Sequence, residues 1–222
     1  MIEAIRKDGL DSMAVTLSAM ARDEGSAAHR WCRPAALTAG KHAARNLADA
    51  IHYLVQLHGS HPALIDQVQL TAQPAPVRAW LEQAAAGFVE ERANLANLVG
   101  AAGPMPSTPG QAECETAIQA QRHAFSILAE SGRTGCAIGA AAALLLDWVA
   151  IRALLDDAAE RLGVTPLPVS LPGTGDTLAL VDSVAETQGI ARAMLFGARQ
   201  LLGQQRGLWD LLEARRAARD RG

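Results

Sequence analysis

Residues 133–163 read RTGCAIGAAAALLLDWVAIRALLDDAAERLG, with apolar or small side chains on every side of a helical wheel. No charge occurs between Gly135 and Leu146, which is typical of a helix surrounded by other helices. A membrane span needs roughly 20 apolar residues, and Asp147 and Arg152 interrupt this run after about a dozen. The stretch therefore predicts a buried central helix in a helical protein, and not a transmembrane segment.

Small residues on this helix repeat at four-residue spacing: Gly135, Gly139 and Ala143. Their spacing predicts that a second helix approaches closely there, with a groove for a ligand as the alternative. Arg152 and Asp156 stand four residues apart on another side and predict an ion pair.

Asp147 falls on the core-facing side of the same helix. A carboxylate buried without a partner costs several kcal/mol, so it must be hydrogen-bonded, paired, metal-bound or protonated. We favour structural hydrogen bonding and predict a partner on the apolar face of another helix. Gln205 and Gln121 are the first candidates, and Arg92 follows them.

Composition bounds the fold class. Half of the 222 residues are hydrophobic, only 4% are aromatic, and Ala is abundant, which favours helices throughout. We predict an all-α single domain over residues 1–222, a bundle of five long helices plus two or three short ones, with loose ends at 1–9 and 217–222. The net charge of −3 makes binding to nucleic acid an unfavoured function.

Cysteine usage and the N-terminus predict a location in the cytoplasm. Cys32, Cys114 and Cys136 are odd in number, far apart and without a CxxC pair, so reduced thiols are expected. The start, MIEAIRKDGLDS, has neither the apolar region nor the cleavage site of an export signal.

Apolar residues at helical spacing predict further helices at 10–23, 35–58, 77–100 and 187–216. Gly25 is placed to end the first of these, and Gly59 to end the second as a left-handed cap. We expect the second helix to leave one polar side in solvent: His42, Arg45, Asn46, Asp49, Tyr53 and Gln56. Residues 163–177 hold too many Pro and Gly for a helix, and are predicted to be a crossover, with a lid as the alternative.

A capping box is predicted before the helix that follows the Pro/Gly loop at 103–113. Thr108, Pro109 and Gln111 match its N-cap, N1 and N3 positions. That helix should begin within about two residues of Pro109.

Five residues are candidates for a polar pocket or for buried polar groups. Gln121 and Gln205 fall on apolar faces like Asp147, and Glu91 and Arg92 flank the apolar stripe of the helix at 77–100. A cavity lined by several of them would bind a small molecule.

Weak metal-ligand candidates lie on the helix at 35–58. Asp49 and His52 form one Asp-x-x-His step, similar to the Glu-x-x-His steps of di-metal bundles. His58, on the apolar side, would instead combine with Asp147 and Glu91. No cofactor is predicted, and a metal ion is kept as an alternative hypothesis.

Catalytic and nucleotide-binding motifs such as GxSxG, a P-loop or GxGxxG are missing from the sequence. Neither Cys114 nor Cys136 has a His at a spacing that implies contact. The question of an enzymatic activity therefore stays open. The basic residues Arg215, Arg216, Arg219 and Arg221 alternate with acidic ones and predict a solvated face.

Three stretches carry a resemblance to a family: HGSHPALID at 58–66, GPMPSTPGQAE at 103–113 and RGLWDLLEARRAARD at 206–220. They resemble an uncharacterised proteobacterial family without assigned function, over most of the chain. In length and number of long helices the chain also looks like haem-oxygenase-like and ferritin-like bundles, a likeness of architecture that transfers no functional residue.

Two hypotheses of function follow. The first is a non-catalytic cytosolic bundle that acts through a homodimer or partner interface. The alternative is a small-molecule or metal-binding bundle, including an oxidase-like enzyme, with a polar pocket around Asp147. Stoichiometric metal or a bound chromophore in the purified protein would favour the alternative.

Overall fold

The computed structural model describes residues 12–71 and 73–221, and within them it forms helices and no strands, which confirms the predicted all-α class. The α-helices are α1 (Met13–Glu24), α2 (Pro34–Thr38), α3 (Ala43–His58), α4 (Leu64–Gln69), α5 (Ala75–Ala102), α6 (Gln111–Ala129), α7 (Cys136–Leu162), α8 (Thr174–Val184) and α9 (Gln188–Arg221). Two 3₁₀ turns, Ser26–Ala28 and Arg30–Cys32, link α1 to α2. The five long helices are α3, α5, α6, α7 and α9.

Helix α7 is the buried centre that residues 133–163 predict. It ends at Leu162 because Gly163 adopts a left-handed conformation with a φ of 69°. Within the described part of the chain, α7 alone is long and apolar enough to cross a membrane. Since 78% of its apolar window is buried inside the protein, it has the character of the core helix of a soluble protein.

Helices α7 and α9 touch through their backbones. A Cβ on Gly139 would overlap the carbonyl oxygen of Met194, and a Cβ on Gly197 would overlap the carbonyl oxygen of Cys136. The close approach that Gly135, Gly139 and Ala143 predict is therefore confirmed, with α9 as the partner helix.

Two helix ends lie where they were predicted, but the capping interactions predicted for them are wrong. Helix α6 begins at Gln111, within two residues of Pro109, but its N-cap is Gly110 and no side chain caps it. Thr108 instead accepts a hydrogen bond from Arg219, so the capping box is wrong. Gly59 is also not left-handed: its φ is −78°, because its N–H continues the α-helical pattern by bonding to Val55.

The loose C-terminal end predicted at 217–222 is wrong for residues 217–221. Helix α9 continues to Arg221, and Arg219 is buried by side-chain contacts with α3. The other predicted loose end, 1–9, lies outside the described residues. The irregular connection between α7 and α8 is hydrogen-bonded to α7 and α5. Leu167 accepts a hydrogen bond from Arg152, and Ser170 donates one to Glu90.

Candidate functional site

Asp147 is buried, as predicted, with 2% of its surface exposed. The Ser26 backbone N–H donates to Oδ1 at 2.6 Å, and the Ser26 hydroxyl donates to Oδ2 at 2.6 Å. The indole of Trp209 in turn donates to that hydroxyl at 2.8 Å. The predicted partners Gln205, Gln121 and Arg92 are thus wrong, because the turn at Ser26–Ala28 places a donor pair directly on α7.

Burial raises the pKa of Asp147 to about 6, and the two hydrogen bonds from Ser26 oppose this rise. Through these hydrogen bonds the carboxylate links the Ser26–Ala28 turn, which follows α1, to the central helix α7. Asp147 borders neither of the two cavities described below, so the polar pocket expected around it has no support.

We expect Asp147 to make stability depend on pH. Its pKa of about 6 in the folded protein lies above the ordinary value of 3.8, so the folded state binds the proton more tightly. The stabilisation is full below the unfolded value and is lost as pH rises through about 6, by up to about 3 kcal/mol. Urea unfolding between pH 4 and 7.5 should show this loss in the wild-type protein and not in Asp147→Asn. Parallel pH profiles for the two proteins would contradict it.

Gln205 and Gln121 are both buried, as predicted, but they do not meet Asp147. Gln121 donates to the Gln204 carbonyl at 3.1 Å. Gln205 Oε1 lies 2.9 Å from His58 Nε2, and because this oxygen can only accept, Nε2 carries the proton. Burial lowers the pKa of His58 to about 4, so the ring is neutral at physiological pH.

The predicted solvated side of α3 is wrong at three of its residues, since Asn46, Asp49 and Tyr53 are buried under α9. Arg215 donates to both Asp49 oxygens, at 2.9 and 3.1 Å, and Arg219 donates to the same carboxylate. The predicted solvated basic face is therefore also wrong at these two arginines. The carboxylate compensates one of the two guanidinium charges, and neutral oxygens of Pro106, Thr108 and Asn46 accept further hydrogen bonds from the arginines, which helps all three charged groups to leave water.

The metal-ligand candidates do not converge. His52 lies 2.8 Å from the Gly103 carbonyl, while Asp49 is taken up by Arg215 and Arg219. His58 pairs with Gln205. Among residues 12–71 and 73–221, no group of three or more His, Cys, Asp or Glu is placed to hold a metal ion.

Glu91 and Arg92 belong to separate ion pairs. Glu91 is buried and accepts from Arg152 at 2.8 Å. Arg152 also donates to Asp156 at 2.7 Å, which confirms the predicted ion pair on α7. Arg92 donates to Asp66 at 3.1 Å and borders a cavity.

The cysteines are free thiols. Burial raises the pKa of Cys32 to about 12, and the nearby Asp147 carboxylate contributes to the rise. Cys32 is therefore an unreactive thiol at neutral pH.

The cavity that Arg92 borders, hereafter the α4–α6 cavity, has a volume of about 420 Å³ and lies between the α3–α4 connection, α4 and α6. Apolar side chains from α5, α6 and α7 form part of its wall: Phe88, Phe125 and Leu144. Polar side chains border the rest: His58, Ser60, His61, Gln67, Arg92, Gln119, Arg122, His123 and Ser126. Most of the HGSHPALID stretch lines it, so this resemblance-carrying segment has a place in the fold.

Of the sequence candidates, the structure brings His58 and Arg92 to the α4–α6 cavity, with Gln205 behind His58. Arg122, His123 and the other polar residues of its wall were not among the residues predicted from the sequence. The sequence does show a cluster of polar residues beside Phe125 on α6. Polar residues at this spacing also occur on any solvent-exposed helix face, so the pattern does not indicate a cavity.

A second cavity of about 380 Å³ lies among α2, α3 and the ends of α5 and α7. Its wall is mostly alanine and leucine, with Arg161, whose guanidinium pairs with Asp157 at 2.7 Å. It offers few converging polar groups that would orient a ligand.

Comparison with known proteins identifies the family. Residues 21–220 match the model described as "Family of unknown function (DUF6975)". No curated protein and no solved structure matches the chain, so the likeness to haem-oxygenase-like and ferritin-like bundles stays a prediction. Because the match covers most of the chain, the expected membership of an uncharacterised family is confirmed: the protein belongs to the Family of unknown function (DUF6975).

Proposed function

We propose that this protein binds a small organic molecule in the α4–α6 cavity. The observation that carries the proposal is the cavity itself, about 420 Å³ with apolar side chains and polar groups converging on one space. Volumes of this order, with apolar surface beside polar groups that can fix a ligand's orientation, are typical of ligand sites.

Two polar groups in the wall have hydrogen-bonding capacity left over. His58 uses Nε2 toward Gln205, and no described residue bonds its Nδ1, which is an acceptor in this tautomer. Gln67 donates to Ser126 at 3.3 Å, and its buried Oε1 has no partner among the described residues. Each of these two atoms can accept a hydrogen bond from an N–H or O–H group of a ligand, or from a water molecule that a bound ligand retains.

Filling the cavity tests the proposal. We expect Ser126→Trp, which introduces an indole into the wall, to abolish fragment binding. The matched control is Ala120→Trp, on the exposed side of the same helix. Both variants and the wild type would be screened against a fragment library by ligand-observed NMR. If no fragment binds the wild type and Ala120→Trp while failing to bind Ser126→Trp, the proposal is wrong.

Location and assembly belong to the same proposal. The free thiols and the burial of the apolar helix α7 support a cytoplasmic protein. A homodimer belongs to the proposal, with exposed apolar side chains such as Leu70 and Val149 as candidate contacts, and light scattering of the purified protein would measure it. The proposal includes no metal, and metal analysis of protein purified without chelator tests that point.

A further inference from the structure

We infer that the ligand of the α4–α6 cavity is an organic anion, a compact apolar acid whose carboxylate or phosphate group lies beside Arg122 and Arg92. This inference rests on the proposed function and names its ligand class.

The charge of the wall points to an anion. Two arginines border the α4–α6 cavity, and no Asp or Glu among the described residues does. The chain as a whole has a net charge of −3, so the cavity departs from the average of the surface. A concave, low-dielectric site lined by one sign of charge concentrates ligands of the opposite sign.

Asp66, just behind this wall, orients part of it. Its carboxylate accepts from the Ala63 backbone N–H at 2.8 Å and from Arg92 at 3.1 Å, and lies 3.1 Å from His61 Nδ1. These contacts compensate one guanidinium charge and fix Arg92 at the cavity edge. Arg92 makes one side-chain hydrogen bond within the described part of the chain, so most of its donors remain for a ligand.

Arg122 supplies the charge that Asp66 does not compensate. It borders the cavity from α6, and its guanidinium has no carboxylate partner within residues 12–71 and 73–221. A half-buried, unpaired guanidinium favours a carboxylate or phosphate, which it can bind with two parallel hydrogen bonds.

The aromatic part of the wall determines the polarity of the ligand outside its anionic group. His58 is neutral, and its ring centroid lies 5.7 Å from that of Phe125. A second charge against these rings would lose its hydration without a compensating partner. The ligand is therefore amphipathic, with one anionic end toward the arginines and an apolar body against the rings.

Matched ligands test the charge requirement. The probes are triples of similar size, such as phenylacetate, phenylacetamide and phenethylamine, with phenyl phosphate to separate a phosphate from a carboxylate requirement. Binding to the full-length protein is measured by ligand-observed NMR and titration calorimetry. We expect acids to bind on the order of tenfold more tightly than their amides, and amines to bind least.

A charge-removing variant locates the effect. Arg122→Gln should lose about tenfold in affinity for the acids and little for the amides. The control is Arg78→Gln, an exposed arginine on α5 away from the cavity with the same change in net charge, which should retain acid binding. Circular dichroism and thermal unfolding check that both variants fold.

The two proposals fail in different ways. Amides that bind as tightly as acids, or Arg122→Gln behaving like Arg78→Gln, would overturn the anion inference and leave small-molecule binding in place. If no probe of any charge binds in a manner that Ser126→Trp abolishes, both proposals are overturned.

Discussion

Asp49→Ala is expected to lower the free energy of unfolding by about 3–5 kcal/mol, because it leaves two buried guanidinium groups without their carboxylate. Asp49, Arg215 and Arg219 are all at most 8% exposed, and Arg215 is bonded to both carboxylate oxygens. Urea unfolding followed by circular dichroism measures the loss.

The control for Asp49 is an exposed ion pair of similar geometry. Asp157 accepts from Arg161 at 2.7 Å on the surface of α7, and Asp157→Ala should cost no more than about 0.5 kcal/mol. Replacing Arg219 by Met in the Asp49→Ala background should recover part of the lost stability. The double variant no longer buries the Arg219 guanidinium without the Asp49 carboxylate. Equal effects of Asp49→Ala and Asp157→Ala would show that burial does not set the value of the pair.

Gly139→Ala is expected to destabilise the protein by about 3 kcal/mol, at the upper end of overpacking effects. The added methyl would overlap backbone atoms of Met194, which can give way only if α9 moves away from α7. Because α9 also carries Trp209, Arg215 and Arg219, such a shift would disturb the hydrogen bonds of Asp49 and of Ser26, the partner of Asp147.

Gly203→Ala is the matched control on α9. A Cβ at Gly203 meets nothing within 4 Å, so this substitution should stabilise the helix by about 0.5–1 kcal/mol. Thermal and urea unfolding of the two variants should thus shift in opposite directions. A Gly139→Ala protein as stable as the wild type would mean that α7 and α9 are not in backbone contact.

Much of the architecture was predictable because it depends on the spacing of apolar and small residues along each helix. Uncharged sequence around residues 136–146 identifies a helix packed on all sides, and the spacing of Gly139 and Ala143 identifies a close helix contact. The start of α6 follows from Pro109 in the same way. Local periodicity carries such information since each helix face is set by neighbours three and four residues away.

The buried charges were mispredicted because local pattern does not report the partner. On α3, Asn46, Asp49 and Tyr53 have the spacing of a solvated face, and only α9 reveals that the face is covered. One signal was present: Leu208, Leu212, Arg215 and Arg219 continue a single stripe at spacings of three and four residues. An arginine that extends an apolar stripe favours a buried ion pair over a solvated tail.

The partner of Asp147 was missed for a related reason. Ser26 lies in a short turn, and a small hydroxyl in a loop has no periodicity to mark the direction of its side chain. The α4–α6 cavity was missed because it needs α4 and α6 to face each other across the α3–α4 connection. Sequence reasoning found His58 and Arg92 as separate polar residues, and tertiary structure alone places them around one space.

The contacts of α9 also bear on how the chain is made. Asp49 lies 166 and 170 residues before its two arginines, and Ser26 lies 183 residues before Trp209. A growing chain on the ribosome therefore exposes the glycine face of α7 and an unpaired Asp49 carboxylate until α9 has emerged. Chains that lack α9 are therefore prone to aggregate, and chaperones that shield nascent polypeptides are expected to act on them until α9 is made.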